Sequence, residues 1–148
     1  MNILVSSCLL GLNCRYCGTG CGCEQVTRLS EKHHLIPVCP EQMGGMPTPR
    51  APVEIVNGKA IDNTGKDVTA QFKKGAEEAA KLAELFHCTC AVLKSRSPSC
   101  GCGIIYDGSF SGNLVSGNGF TAQKLLDEGI QVVNENTLNE IKADEFKK

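Results

Sequence analysis

The sequence predicts an α/β fold, a three-layer α/β/α sandwich around a mainly parallel, Rossmann-like sheet of about four strands. Three observations lead there. Short apolar runs of strand length alternate with segments of helical period, each run is stopped by a turn rich in Gly, Pro or Cys, and 148 residues, 41% of them apolar, suffice for one core. Residues 1–148 are therefore expected to form a single domain.

The first strand covers residues 2–7 (NILVSS), halted by Cys8 and the Leu-Leu-Gly that follows. Residues 14–23 are too rich in Gly and Cys for regular structure, and residues 24–33, polar apart from Val26 and Leu29, read as a modest helix. Residues 35–38 form the second strand, which ends at Cys39-Pro40 because proline has no N–H with which to continue a ladder. The stretch PEQMGGMPTPRAPVEI is expected to be a long ordered loop, and loops of that length inside a compact domain tend to carry function. Residues 53–56 and 59–61 flank Asn57-Gly58, the strongest two-residue hairpin signal. Thr69 is placed to cap a helix over residues 70–86, where Phe72, Ala76, Ala79, Ala80, Ala83 and Phe86 fall on one stripe. Residues 89–94 (TCAVLK) make the third strand, ended by SRSPSCGCG; residues 104–106 extend briefly before the Gly-rich stretch 108–119. A helix over 120–128 closed by Gly129, a fourth strand over 130–133 and a terminal helix over 136–146 complete the chain. In sheets of this kind ligands lie beyond the carboxyl ends of the strands, near the point where strand order reverses.

Charge and patterning narrow the partners. Fifteen Lys and Arg against sixteen Asp and Glu leave a net charge of −1, too neutral to hold nucleic-acid phosphates through bulk charge. No apolar stretch approaches the ~20 residues that cross a bilayer, and the first ten residues lack the basic start of an export signal. The expectation is a cytoplasmic protein whose partner is a small molecule, with neither nucleic acid nor membrane involved.

Ten cysteines in 148 residues point to chemistry. Without an export signal they are expected as thiols, whose common uses are metal ligation and nucleophilic or redox work. Cys8 ends the first strand, Cys39 ends the second, and Cys100 lies in the loop after the third, so the three converge on one edge of the sheet. Three thiolates from three loops can hold a metal while leaving one coordination position open, as catalysis requires. Either a catalytic zinc or an iron–sulfur cluster with one free iron fits, and the softness of an all-thiolate shell favours the cluster. Glu41, two residues beyond Cys39, is a natural proton donor or acceptor, and the Ser97 and Ser99 hydroxyls beside Cys100 can position substrate or water. Pro40 and Pro98 stiffen both loops.

The segments SSCLLG (residues 6–11), RY (15–16), PVCPEQMGGMPTPRAPVEI (37–55), GKDVT (65–69) and LKSRSPSCGCGIIYDGSFSG (93–112) resemble a bacterial family, first defined as a domain of unknown function, that includes thiouracil desulfidase. The resemblance covers nearly the whole chain. It implies a [4Fe–4S] cluster on three cysteines at the positions of Cys8, Cys39 and Cys100, with an acidic residue and a serine in the active site that match Glu41 and Ser97. It also implies non-redox removal of sulfur from a thio-heterocycle such as 2-thiouracil: the free iron polarises C=S, water attacks the carbon, Glu41 relays protons, and Ser97 holds the heterocycle or the water in line.

The chain departs from the family pattern in its extra thiols. Cys14 stands where an apolar residue is expected before Arg15, Cys17 where an Asp is expected after Tyr16, and Cys21 and Cys23 follow. The run C-x2-C-x3-C-x-C would build a second metal site, supply a fourth ligand to the first, or remain as free or redox-active thiols. Cys88 and Cys90 read as core, Cys102 as a neighbour of the site, and Arg15 and Arg50 as residues that order their loops or bind an anionic group. Two other function classes use the same trio: a zinc hydrolase with Glu41 as base, and a non-enzymatic iron–sulfur or metal carrier indifferent to Glu41 and Ser97.

Overall fold

The computed structural model describes residues 1–141. Its elements in chain order are β1 (Asn2–Ser6), α1 (Glu24–Thr27), β2 (His34–Val38), α2 (Pro40–Met43), β3 (Val53–Val56), β4 (Lys59–Asp62), α3 (Thr69–Leu85), β5 (Cys90–Val92), β6 (Ile104–Tyr106), β7 (Leu114–Ser116), α4 (Phe120–Asp127) and β8 (Gln131–Val133). Short 3₁₀ turns occupy Ser7–Leu10, Arg28–Glu31 and Leu138–Glu140. Among the described residues no helix is long and apolar enough to cross a membrane.

The central sheet is the expected one: four strands, all parallel, in the order β2-β1-β5-β8. In β1, Ile3, Leu4 and Val5 are all fully buried, which is why this strand reads as an unbroken apolar run: a parallel strand in mid-sheet is covered on both faces. Leu4 lies between Ile36 and Ala91, and Val5 between Pro37 and Val92. Pro37 is tolerated because β2 is an edge strand.

Alternation along the strands divides the core. On one face Leu4, Val38 and Ala91 meet Ala79, Ala80 and Ala83 of α3 and Ala122 and Leu125 of α4. On the other, Ile3, Val5, Val92 and Val133 pack with Leu9 and with Val26 of α1, while Leu29 and Leu138 from the 3₁₀ turns cover the margin. One face therefore carries two regular helices and the other is closed by single turns.

Several boundaries differ from expectation for identifiable reasons. The helix expected over 24–33 tightens into the 3₁₀ turn after one α-turn. The loop after Cys39 begins as α2, with Pro40 at its first position, where a missing N–H costs nothing. Thr69 begins α3 and does not cap it: its Oγ1 accepts from Ala60 N at 2.9 Å, and Asp67 Oδ1 takes the Thr69 N–H at 2.9 Å. The Gly-rich stretch after Tyr106 contains β7, which pairs antiparallel with β6. Within the described part of the expected terminal helix only the 3₁₀ turn forms; the remainder, residues 142–146, lies outside the described residues.

Candidate active site

The order β2-β1-β5-β8 reverses between β1 and β5, so the crevice at the carboxyl ends of these two strands is the topological switch point. A cavity of about 540 Å³ opens there, and Cys8, Cys39, Cys100, Glu41, Ser97 and Ser99 all line it. The structure thus brings every sequence-predicted site residue to one place.

Each thiol is delivered by a different strand end. Cys8 sits in the 3₁₀ turn directly after β1, closed by Gly11 at φ +91, a conformation glycine adopts without strain. Cys39 is the residue before α2, its carbonyl accepting the Met43 N–H at 2.9 Å. Cys100 lies in the loop after β5, where the first turn of α4 supplies amides that no helical carbonyl can take: Phe120 N donates to Pro98 O, and Thr121 N and Ala122 N both donate to Ser99 O. Gly119 makes that approach possible, since a Cβ there would stand 2.5 Å from the Ser99 carbonyl carbon.

Around the thiols runs a continuous polar network. Glu41 Oε1 accepts from Arg50 Nε at 2.9 Å, and Glu41 Oε2 from Ser99 Oγ at 3.0 Å. The pair is almost enclosed, the Arg50 side chain being 4% and that of Glu41 14% exposed. Arg50 also donates through Nη2 to the Cys14 carbonyl at 2.9 Å, which ties the Gly- and Cys-rich loop to the Glu41 turn. Ser97 Oγ accepts the backbone N–H groups of Ser99 and Cys100 and lies 3.1 Å from Ser99 Oγ, so Ser97, Ser99 and Glu41 form one hydrogen-bonded chain.

The thiols influence one another. Burial pushes Cys100 up to about 11 against the hydrogen bond its sulfur accepts from Ser6 Oγ at 3.3 Å, with the Ser99 hydroxyl beside it at 3.7 Å. Cys8 is pushed higher still, by burial and then by Cys21 and Cys100. Cys14 is raised to about 12 by burial and then by the neighbouring Cys39 thiol, which points to the Cys14 carbonyl at 3.7 Å. Among the described residues no three His, Cys, Asp or Glu side chains are gathered tightly enough to hold a single metal ion.

Sequence reasoning missed several lining residues. Ser6 accepts the Lys94 N–H at 2.9 Å, locking β1 to the segment after β5 at the switch point. Lys94 Nζ pairs with Glu135 at 2.7 Å, and Glu135 also takes the Ser95 N–H and hydroxyl. Burial would raise the Glu135 carboxyl, but Lys94 and the Ser95 N–H outweigh it and hold the group below its usual value. Of the extra thiols, Cys14 lines the cavity, Cys17 is exposed and bonded to Thr19, and Cys21 and Cys23 pack under the Cys8 turn, their N–H groups held by Cys8 and Leu9 carbonyls.

Residues 3–137 match the family described as 2-thiouracil desulfurase. The chain is 40% identical, over 94% of its length and 99% of the relative's, to the protein of Bacillus subtilis (strain 168) described as uncharacterized protein YbbK. It is similar in structure, with a TM-score of 0.89, 41% identity and coverage of 94% of this chain and 93% of the other, to a protein described as [4Fe-4S]-dependent thiouracil desulfidase TudS (DUF523Vcz).

Proposed function

Since the chain belongs to the 2-thiouracil desulfurase family, an enzyme family of desulfidases, we propose that it hydrolyses the C=S bond of a thio-heterocycle such as 2-thiouracil with a [4Fe–4S] cluster held by Cys8, Cys39 and Cys100. The observation that carries this reading is the Glu41 carboxylate, clamped by Arg50 and Ser99 on the wall of the cavity that the three thiols share. The donor set suits the cluster: all three ligands are soft sulfurs. A single zinc would require those sulfurs to draw together from their present places around the wall.

A cluster held by Cys8, Cys39 and Cys100 would supply Lewis acidity toward a thiocarbonyl sulfur. Everything else falls to the chain. Glu41 takes one proton from the water that attacks the thiocarbonyl carbon and returns it to the departing sulfur, then takes the hydroxyl proton of the adduct as the carbonyl forms and passes it to the released hydrosulfide, so thiocarbonyl and water become carbonyl and hydrogen sulfide with no net electron transfer. Arg50 and Ser99 each hold one Glu41 oxygen and leave a lone pair of each free to face the cavity. Ser97 has its own lone pairs occupied by two backbone N–H groups, so what it offers is its proton, which is directed to Ser99 and, on rotation, to a ring heteroatom. Ser97 and Ser99 are in this reading the substrate-positioning pair. A fixed attack geometry of this kind is worth several kcal/mol, up to about 7–11 for well-oriented groups.

The test is anaerobic reconstitution followed by sulfide release from 2-thiouracil. Glu41→Gln should retain the absorption spectrum and iron content of the wild type and lose turnover by about 10²–10⁴-fold. Zinc in place of iron in the active protein would favour the hydrolase, and a fully active Glu41→Gln protein would remove the acid–base role.

A further inference from the structure

Four thiols line the cavity, one more than the reading above employs. The fourth is Cys14. It is 6% exposed, and Cys39 Sγ points to its carbonyl at 3.7 Å. It faces the same cavity as Cys8, Cys39 and Cys100, and its side chain packs in the same buried cluster as Cys8 and Cys39. The other three cysteines of the run stand apart from the cavity lining, and two of them are spent elsewhere: Cys17 is exposed against Thr19, and Cys21 bonds Cys8.

We propose that Cys14 is an exchangeable fourth ligand of the cluster, closing it in the resting enzyme and giving way to the substrate sulfur. The inference rests on the cluster assignment. Four irons with one thiolate each make a fully ligated [4Fe–4S] centre, and the cavity holds that number of thiols.

The supports of the four thiols explain why Cys14 is the one that leaves. Cys8, Cys39 and Cys100 are fixed by turns directly attached to strand ends, α2 or the first turn of α4. Cys14 lies in a segment without regular structure, among Gly11, Gly18, Gly20 and Gly22, and its carbonyl is held by the Arg50 guanidinium at 2.9 Å. That same guanidinium holds Glu41, so a shift of the Cys14 loop is felt at the proton-transfer group. In the exchange one iron–thiolate bond breaks and one iron–sulfur bond to the substrate forms. The thiolate leaves with its own electron pair, the incoming sulfur donates another, and nothing is oxidised or reduced.

The experiment compares anaerobically reconstituted wild type, Cys14→Ala and Cys14→Ser by EPR after brief ferricyanide oxidation and by Mössbauer spectroscopy at rest. An iron without protein thiolate is lost readily on oxidation, so the three-iron signal should be several times larger in Cys14→Ala than in the wild type. The resting wild type should lack a distinct iron subsite and gain one on addition of 2-thiouracil, a measurement that needs no variant to fold. Cys14→Ser preserves side-chain volume and separates ligation from packing. Equal three-iron signals in wild type and Cys14→Ala, or a distinct subsite in the resting wild type, would overturn the inference and leave the proposed function standing. A wild type that takes up no cluster would remove the proposed function itself.

Discussion

Gly75→Ala tests whether the site depends on a backbone contact far from the chemistry. Two glycines, Gly75 in α3 and Gly44 just past α2, let the two helices touch backbone to backbone. A Cβ on Gly75 would lie 2.0 Å from Pro40 O, and one on Gly44 would lie 2.0 Å from Gln71 O. Restoring an ordinary contact of 3.4 Å requires α2 to retreat by 3.4 − 2.0 = 1.4 Å. Helix propensity by itself favours alanine by about 1 kcal/mol. Overpacking against rigid backbone sits at the upper end of the usual ~1–3 kcal/mol. The net expectation is a loss of about 2 kcal/mol. Pro40 stands between Cys39 and Glu41, so its displacement carries a thiol and the carboxylate with it, and a misplacement near 1 Å costs about 10²-fold in rate. Urea unfolding and sulfide release from 2-thiouracil measure the two effects. Lys74→Gly, on the exposed side of the same helix, serves as control: it should lose about 1 kcal/mol of stability and keep its turnover. A Gly75→Ala protein as stable as the wild type and equally fast would refute the reasoning.

Arg50→Ala should cost about 3–5 kcal/mol in urea unfolding and abolish sulfide release, because it strands the enclosed Glu41 carboxylate and frees the Cys14 carbonyl, whereas Arg50→Lys should recover part of the stability. Glu135 is held below its usual value in the folded chain, so its stabilising contribution is complete above the unfolded value near ~4.3 and fades as pH falls through the folded one. Acid titrations of urea midpoints should therefore show Glu135→Gln weaker than wild type at neutral pH and converging with it in acid.

How legible the molecule is in its sequence depends on whether a feature is local. The strands β1, β2, β5 and β8 announce themselves because each is apolar and bounded by a breaker, and Asn57-Gly58 marks the turn between β3 and β4. By contrast, β7 is exposed at all three positions, so it leaves no alternation to read. The one-turn α2 is too short for a helical period. At the site, Cys8, Cys39, Cys100 and Glu41 are legible because their chemistry is unusual and all four lie at or near strand ends. The role of Arg50 is less so, since nothing in a Pro-rich stretch says that its guanidinium reaches both Glu41 and the Cys14 carbonyl, thirty-six residues away. Gly75 hides within an alanine stripe, where an extra small residue looks like ordinary packing; only the clash with Pro40 reveals its task.

The distribution of the thiols bears on how the protein assembles. A local knuckle, such as the run from Cys14 to Cys23 could have formed, binds metal as soon as a few residues turn back on themselves. Here the thiols follow β1, β2 and β5, the first and the last ninety-two positions apart, so they meet only once the sheet is paired in its final order. On the proposed assignment, cluster binding is linked to the folding of the whole domain, and each interaction that fixes a strand end also fixes a proposed ligand. Ser6 shows the economy of the arrangement: its hydroxyl accepts the Lys94 N–H that joins β1 to the segment beyond β5 and donates to the Cys100 sulfur. The Cys14 loop stands outside this framework: it is joined to the Glu41 turn through the Arg50 guanidinium on the Cys14 carbonyl at 2.9 Å and the Arg50 N–H on the Tyr16 carbonyl at 2.8 Å, so its placement depends on the packing of Arg50 and not on a strand end.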